Sequence, residues 1–124
     1  MKYLHTMIRV KDIKKSLKFY TELFDMNLVD EKRLDDCTLY FLSDQDGQTQ
    51  IELTYNDETP VGGYEVGTGF GHFAFQTDSM DKFTEKMQGM GYEYLYEPYK
   101  LSAVGSTIAF LKDPDGYEVE IIER

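Results

Sequence analysis

Cysteine, tryptophan and long apolar runs are what this 124-residue sequence has least of. A single cysteine, Cys37, excludes an intrachain disulfide, and without a CxxC pair no thiolate metal site of the usual spacing is predicted. The longest uninterrupted apolar stretches are only a few residues, such as 108–111, so the sequence predicts neither a membrane span nor a signal-peptide core. These absences favour a cytoplasmic location.

Positive charge is also scarce. The 13 Lys and Arg residues face 23 Asp and Glu residues, which gives a formal net charge of −10. Such a field repels nucleic acid and anionic membranes alike, so neither is a predicted partner. The hydrophobic content of 41% and the supply of 8 Phe and 10 Tyr are typical of an ordinary globular protein rather than a disordered chain.

A weak internal repeat organises the chain, with copies at about 4–55 and 71–123. Each copy begins with a strand-like run that carries one of the two histidines, His5 or His72. A helical pattern follows each run. Asp12 is a plausible N-cap for the first, and Asp78 or Ser79 for the second.

Three further strand-like runs complete each copy, and turns containing Asp46-Gly47 and Asp115-Gly116 join the last two runs of each. The runs are 28–32, 38–42 and 50–55 in the first copy, and 92–96, 106–111 and 117–122 in the second. This order predicts an α+β fold of two βαβββ modules with curved sheets. The expected organisation is one domain over 1–124, with modules at 1–55 and 70–124 and a linker at 56–69.

The final strand of each copy carries a glutamate at a nearly equivalent place, Glu52 in the first and Glu120 in the second. The spacing is 47 residues from His5 to Glu52 and 48 residues from His72 to Glu120. Alternation along a strand places His5 and Arg9 on one face. If the two modules curve towards one cavity, two imidazoles and two carboxylates converge.

Two neutral imidazoles and two carboxylates balance the charge of a divalent cation. Nitrogen and oxygen donors without sulfur suit Ni, Co, Fe or Zn rather than Cu(I). Four protein ligands in an octahedral shell leave two positions for water or substrate oxygens, which is a catalytic geometry. A lone strand histidine is more often a hydrogen-bonded or exposed residue, but the equivalent positions in the repeat favour a metal site. Asp113-Pro114-Asp115-Gly116, in contrast, is interpreted first as a turn.

Four segments of the sequence together resemble glyoxalase I, or lactoylglutathione lyase, of the vicinal oxygen chelate superfamily. They are Leu4–Val10, Ile51–Asn56, Gly71-His72 and Asp113–Glu120. The resemblance covers nearly the whole chain. It implies isomerisation of the hemithioacetal of methylglyoxal and glutathione, or another thiol, to the thioester of D-lactate, and so methylglyoxal detoxification.

The resemblance also implies roles for individual residues. His5, Glu52, His72 and Glu120 correspond to the metal ligands of the family. Glu120 corresponds to the proton-moving base, with Glu52 as its partner on the opposite side. The implied assembly is a homodimer in which His5 and Glu52 of one chain meet His72 and Glu120 of the other. The short chain resembles the bacterial class that prefers Ni²⁺ or Co²⁺ to Zn²⁺.

Substrate-binding roles are also implied by the resemblance. Arg9 and Asn56 correspond to residues that hold the γ-glutamyl end of glutathione. The family often has a basic residue for the glycyl carboxylate, but here the segment 99–105 departs from the pattern and offers only Lys100. The identity of the thiol therefore stays open.

Two other classes of function remain as alternatives. One is another enzyme of the superfamily. It could be an epimerase acting beside a thioester carbonyl or a metal-dependent thiol transferase acting on an antibiotic. Epimerases of this type usually have Gln where this chain has Glu52. The other is a metal-free binding protein that sequesters a drug. Two His and two Glu at equivalent positions disfavour it, because an empty site would bury carboxylates without a cation.

Overall fold

The two sequence repeats fold into two units, residues 1–65 and 66–124, in a computed structural model that describes all 124 residues. Each unit contains one strand, one helix and three further strands, so the expected βαβββ order is confirmed. The boundary between the units falls after Glu65, inside the segment 56–69 that the sequence suggested as a linker.

The first unit has a four-stranded sheet in the order β1-β4-β3-β2, with β1 parallel to β4 and the other pairs antiparallel. Its elements are β1 (His5–Arg9), α1 (Ile13–Lys18) with a π-helical turn at Phe19–Leu23, β2 (Asn27–Arg33), β3 (Cys37–Ser43) and β4 (Gln50–Asn56). Asn56 therefore belongs to a strand rather than to the linker.

The second unit repeats this topology, with strand order β5-β8-β7-β6 and β5 parallel to β8. Its elements are β5 (His72–Thr77), α2 (Met80–Gly89), β6 (Tyr94–Leu101), β7 (Ser106–Lys112) and β8 (Glu118–Glu123). Neither helix of the chain has the length and apolar character that a membrane crossing requires.

Both helices begin where the sequence predicted. The Asp12 side chain accepts a hydrogen bond from the backbone N–H of Lys15, and the Ser79 hydroxyl accepts one from Lys82. Of the two candidate caps for the second helix, Ser79 is the one used. Gly91 has a φ of 84°, a conformation that suits glycine and ends the helical segment.

One face of each sheet forms the core of its unit. Ile8, Leu42 and Leu53 are buried in the first unit, and Leu111, Val119 and Ile121 in the second. Burial of each such side chain contributes about 1.5–3 kcal/mol. Because neighbouring residues of a strand point to opposite faces, the alternate residues, including His5, Glu52, His72 and Glu120, share the other face of their sheets.

The first helical segment is not one continuous α-helix. The α-helix ends at Lys18, and a π-helical turn follows at Phe19–Leu23. The Thr21 hydroxyl donates to the Leu17 carbonyl, and this side-chain bond competes with the regular helical bond to that oxygen. The wider turn leaves both Phe19 and Tyr20 fully buried.

Strand β6 is longer than the sequence indicated, because it continues past Tyr96 to Leu101 and includes Pro98. Pro98 cannot donate a ladder hydrogen bond, and a proline is therefore disfavoured in the interior of a sheet. However, β6 is the edge strand of its sheet, where a missing donor is tolerated. The register with β7 shifts between Tyr96 and Tyr99, as expected of a bulge around the proline.

The Asp113–Gly116 segment forms the expected turn. One carboxylate oxygen of the buried Asp113 accepts the backbone N–H groups of Asp115 and Tyr117, each at 2.9 Å. Gly116 has a φ of 92°, which side-chain-bearing residues rarely adopt. This carboxylate organises the turn that precedes β8 and thereby fixes where the strand carrying Glu120 begins.

Candidate metal centre

The first unit brings His5 and Glu52 together across neighbouring parallel strands. His5 lies opposite Gln50, so Glu52 is the next residue of β4 on the same face of the sheet. The distance from His5 Nε2 to Glu52 Oε1 is 3.4 Å. The Glu52 side chain is 11% exposed and that of His5 33% exposed, so the pair lies at the surface with its carboxylate mostly covered.

The second unit repeats the pair with His72 and Glu120. His72 lies opposite Glu118, and Glu120 is two residues farther along β8 on the same face. The distance from His72 Nε2 to Glu120 Oε2 is 3.1 Å, with side-chain exposures of 42% and 14%. Equivalent positions in the repeat thus give nearly the same local geometry.

A phenylalanine supports each histidine, a feature that the sequence reasoning missed. Phe41 lies opposite Glu52, and Phe110 lies opposite Glu120, each on the neighbouring antiparallel strand. Each ring meets its histidine edge to face, with centroid distances of 5.5 Å for His5 and 5.3 Å for His72. The sequence repeat could have indicated these contacts, because both phenylalanines occupy equivalent places in the third strand of their copy.

These two pairs of donors fit a divalent cation. Ligands at about 2.1 Å from a metal are separated from each other by about 3.0 Å at a right angle and about 3.4 Å at a tetrahedral angle. The separations of 3.1 and 3.4 Å between imidazole nitrogen and carboxylate oxygen lie within this range. Imidazole nitrogen and carboxylate oxygen are suitable donors for Ni, Co, Fe and Zn. Each unit supplies two such donors, and no group of three or more His, Cys, Asp or Glu side chains within the chain is placed to hold a metal ion.

The two carboxylates differ in one contact. Thr54, two residues after Glu52 on the same face of β4, donates its hydroxyl to Glu52 Oε2 at 2.8 Å. Both residues are buried, with exposures of 6% for Thr54 and 8% for Glu52. The equivalent residue after Glu120 is Ile122, which has no hydroxyl. The Thr54 hydroxyl thus binds Glu52 Oε2, while Glu52 Oε1 faces His5.

The face of the first sheet also carries basic and amide side chains. Arg9 alternates with His5 along β1 and lies opposite Thr54, so it shares the face of the His5–Glu52 pair. The Asn56 amide donates to the Tyr64 hydroxyl at 2.8 Å. Tyr64, which lies in the suggested linker, was missed by the sequence reasoning. Lys32 Nζ lies 5.6 Å from the centre of the Phe41 ring and adds a second cation on this face.

An open cavity of about 730 Å³ adjoins His72 in the second unit. Its lining is aromatic and acidic: His72, Leu95, Tyr96, Glu97, Tyr99, Phe110 and Glu118. Tyr99 lies opposite Ile108 and Lys100 opposite Thr107, so the two residues point to opposite faces. Because Tyr99 lines the cavity, Lys100 points away from it, and the structure does not bring Lys100 to His72.

Cys37 takes no part in either pair. It is buried at the start of β3, and this burial, with the neighbouring Asp36 carboxylate, raises the pKa of its thiol. A thiol with a raised pKa is predominantly protonated at neutral pH and is a poor nucleophile and metal ligand.

Comparison with known proteins identifies relatives of this fold and site. The Glyoxalase/Bleomycin resistance protein/Dioxygenase superfamily matches residues 2–121. The chain is 39% identical to the lactoylglutathione lyase of Haemophilus influenzae over 128 residues, covering all of this chain and 93% of that protein. It is also 39% identical to a lactoylglutathione lyase of Arabidopsis thaliana, of which it covers 44%. The crystal structure of glyoxalase I from Zea mays superposes with a TM-score of 0.87 at 37% identity, covering 99% of this chain and 44% of that chain.

The fold, the paired donors and these similarities agree. The chain belongs to the glyoxalase/bleomycin resistance protein/dioxygenase superfamily and, within it, to the lactoylglutathione lyase or glyoxalase I family. It spans about half the length of the plant relatives, whereas it spans nearly the whole of the bacterial one.

Proposed function

We propose that the protein isomerises the hemithioacetal of methylglyoxal and a thiol to the S-D-lactoylthioester, and thereby detoxifies methylglyoxal. The observation that supports this most is the repeated pair of His Nε2 and Glu carboxylate oxygen at 3.4 and 3.1 Å, in a chain of the lactoylglutathione lyase family. A cytoplasmic location is part of the proposal, because thiols are kept reduced there.

We propose His5, Glu52, His72 and Glu120 as ligands of one divalent metal ion per site, with Ni²⁺ or Co²⁺ preferred to Zn²⁺. When bound, the metal supplies Lewis-acid polarisation of the two substrate oxygens. Two donors from one unit fill only two positions of a shell of four to six. We therefore propose a homodimer in which the His5–Glu52 pair of one chain and the His72–Glu120 pair of the other complete each site.

In this proposal Glu120 moves the proton. Its carboxylate removes the hydrogen from the carbon bonded to sulfur and returns it to the neighbouring carbonyl carbon, while the hydroxyl proton passes to the other oxygen. The hydroxyl and the carbonyl exchange places, and no atom is gained or lost. Glu52, held by Thr54, stays in place on the opposite side. Arg9, on the face of His5, and Asn56 are the proposed contacts for the thiol portion of the substrate.

The proposed reaction is tested by absorbance assay of thioester formation. Protein stripped with a chelator should be inactive and should regain turnover with Ni²⁺ or Co²⁺, and less with Zn²⁺. Glu120→Gln should lower turnover by about 10²–10⁴, the usual contribution of a positioned general base, because Gln keeps an oxygen donor but cannot take the proton. Glu85→Gln, on the exposed side of α2, is the control and should have normal turnover. If no metal supports thioester formation from glutathione or simpler thiols, this function is wrong.

A further inference from the structure

The two candidate carboxylates of the repeat have different surroundings, although their burial is similar. The side chains of Glu52 and Glu120 are 11% and 14% exposed. Glu52 Oε2 accepts the Thr54 hydroxyl at 2.8 Å, whereas the residue at the equivalent place after Glu120 is Ile122. The hydroxyl beside Glu52 therefore distinguishes the two carboxylates, whereas their solvent exposure does not.

Thr54 is well placed to hold a fixed geometry. It lies in the middle of β4, between Arg9 on β1 and Leu39 on β3. Its backbone carbonyl accepts the N–H of Val10, and only 6% of the residue is exposed. A β-branched side chain in a strand has few χ1 rotamers, so the hydroxyl direction is restricted. The hydrogen bond then fixes Glu52 with Oε1 towards His5 and Oε2 towards Thr54.

We propose that Thr54 is a positioning residue that holds Glu52 as a stationary metal ligand, and that Ile122 at the equivalent position leaves Glu120 free to move. This inference rests on the proposed function, since it explains how a symmetric repeat could supply one stationary and one proton-moving carboxylate. Hydrogen bonds from the surroundings orient metal ligands, and their loss typically weakens metal binding about 10- to 100-fold.

The first test measures metal affinity without turnover. Thr54→Val keeps the branched shape and removes the hydroxyl, whereas Thr54→Ser keeps the hydroxyl. Ni²⁺ affinity, determined by competition with a coloured chelator, should fall about 10- to 100-fold in Thr54→Val and stay within a few-fold of wild type in Thr54→Ser. The thermal midpoints of the metal-free proteins are compared in parallel. Equal Ni²⁺ affinity of Thr54→Val and wild type would overturn the proposal, as would equal losses in both variants.

The second test places a hydroxyl beside the other carboxylate. Ile122→Thr should lower turnover of the Ni²⁺-loaded protein with little loss of Ni²⁺ affinity, because the new hydroxyl would restrain Glu120. Ile122→Val, which changes the volume without adding a donor, should keep its turnover. Unchanged turnover in Ile122→Thr would contradict the proposed freedom of Glu120. If the wild type forms no thioester, the proposed function fails, and the Ni²⁺ affinities of the Thr54 variants still decide the role of that residue.

Discussion

The imidazole of His72 meets the ring of Phe110 edge to face, with 5.3 Å between the ring centroids and 82° between the ring planes. Phe110 also lies directly opposite Glu120 on the neighbouring strand. One aromatic side chain therefore contacts one candidate ligand and lies beside the other. His5, Phe41 and Glu52 repeat the arrangement in the first unit.

We expect Phe110→Leu to weaken Ni²⁺ binding about two- to tenfold, because an aromatic pair contributes about 0.5–1.5 kcal/mol beyond its buried area. Competition with a coloured chelator measures the effect. Phe73→Leu is the control, because Phe73 points to the opposite face of its sheet and contacts Phe70. Equal affinities in Phe110→Leu and wild type would exclude a role for this contact in holding His72.

Much of the fold could be predicted because each helix and strand pattern occurs in both copies of the repeat, so that one copy supports the assignment of the other. Asp12 and Ser79 cap their helices as expected, and strands β3, β4, β7 and β8 begin and end within one residue of the prediction. Alternation along β1 predicted the strand face of His5, whereas the parallel pairing of β1 with β4, which brings His5 to Glu52, was not predicted. A hydrophobic pattern of period two specifies that face strongly, since a slip of one residue would expose the core.

The course of β6 could not be predicted, because bulges break the alternation on which such reasoning depends. The register with β7 shifts twice between Tyr94 and Tyr99, so alternation counted along the sequence from Tyr94 places Tyr96 on the wrong face, and the second shift restores the correct face at Tyr99. Lys100 was considered a substitute for the family's basic residue, and only the observed register shows that it points away from the cavity beside His72. An edge strand has a partner on one side only, which leaves its register less constrained.

The contacts around the candidate ligands were also not predicted. Thr54 shares a face with Glu52 by simple alternation, so its proximity could have been noticed. The hydrogen bond itself depends on the rotamers of both side chains, which no sequence pattern specifies. Likewise, Asn56 donates to Tyr64 across eight positions of the chain, through a segment without regular secondary structure.

The proposed sharing of each metal site between two chains can be tested by complementation. We expect His5→Ala and His72→Ala to lose Ni²⁺ binding and activity when produced separately. When they are produced together, each mixed dimer should contain one site with both histidines, so random assembly restores about a quarter of the sites. His5→Ala with Glu52→Gln is the control pair, because both changes lie in the first unit and every site then keeps one defect. No recovery in the first mixture would contradict sites shared between chains.

The ion pair between Arg33 and Asp57 should give a defined pH dependence. The guanidinium donates to both carboxylate oxygens, at 2.6 and 2.5 Å, and connects the end of β2 to the residue after β4. The hydrogen bond from Arg33 and its charge hold the pKa of Asp57 below its ordinary value of 3.8. A lowered pKa stabilises the folded state above the unfolded value, and this stabilisation is lost as the pH falls through the folded value.

We therefore expect Asp57→Asn to unfold at a lower temperature than wild type at pH 6, and the two midpoints to converge well below pH 3.8. The difference between the two thermal midpoints should be small and should decrease in high salt, because the side chains of Arg33 and Asp57 are both about half exposed. Asp46→Asn, in an exposed turn, controls for the loss of a negative charge alone. A midpoint difference that persists in strong acid would mean that Asp57 acts through something other than its charge.

The acidic cavity beside His72 should determine which thiol is accepted. Its lining includes Glu97 and Glu118 but neither Lys nor Arg, in a chain of net charge −10. The negative charges of this lining repel the carboxylates of glutathione, whereas they do not repel a neutral thiol. Glu97 lies at the irregular part of β6, where its side chain is exposed, so its removal should not disturb the core.

We expect Glu97→Gln to lower KM for the glutathione hemithioacetal by up to about fivefold, the range of an exposed charge pair, with kcat unchanged. For the hemithioacetal of 2-mercaptoethanol, KM should stay the same, because that thiol has no charge to repel. The difference between the substrates should diminish as salt screens the carboxylate. Glu85→Gln again controls for the change in net charge. If KM falls equally for both hemithioacetals, or rises for glutathione, repulsion by Glu97 is not what limits binding of the thiol.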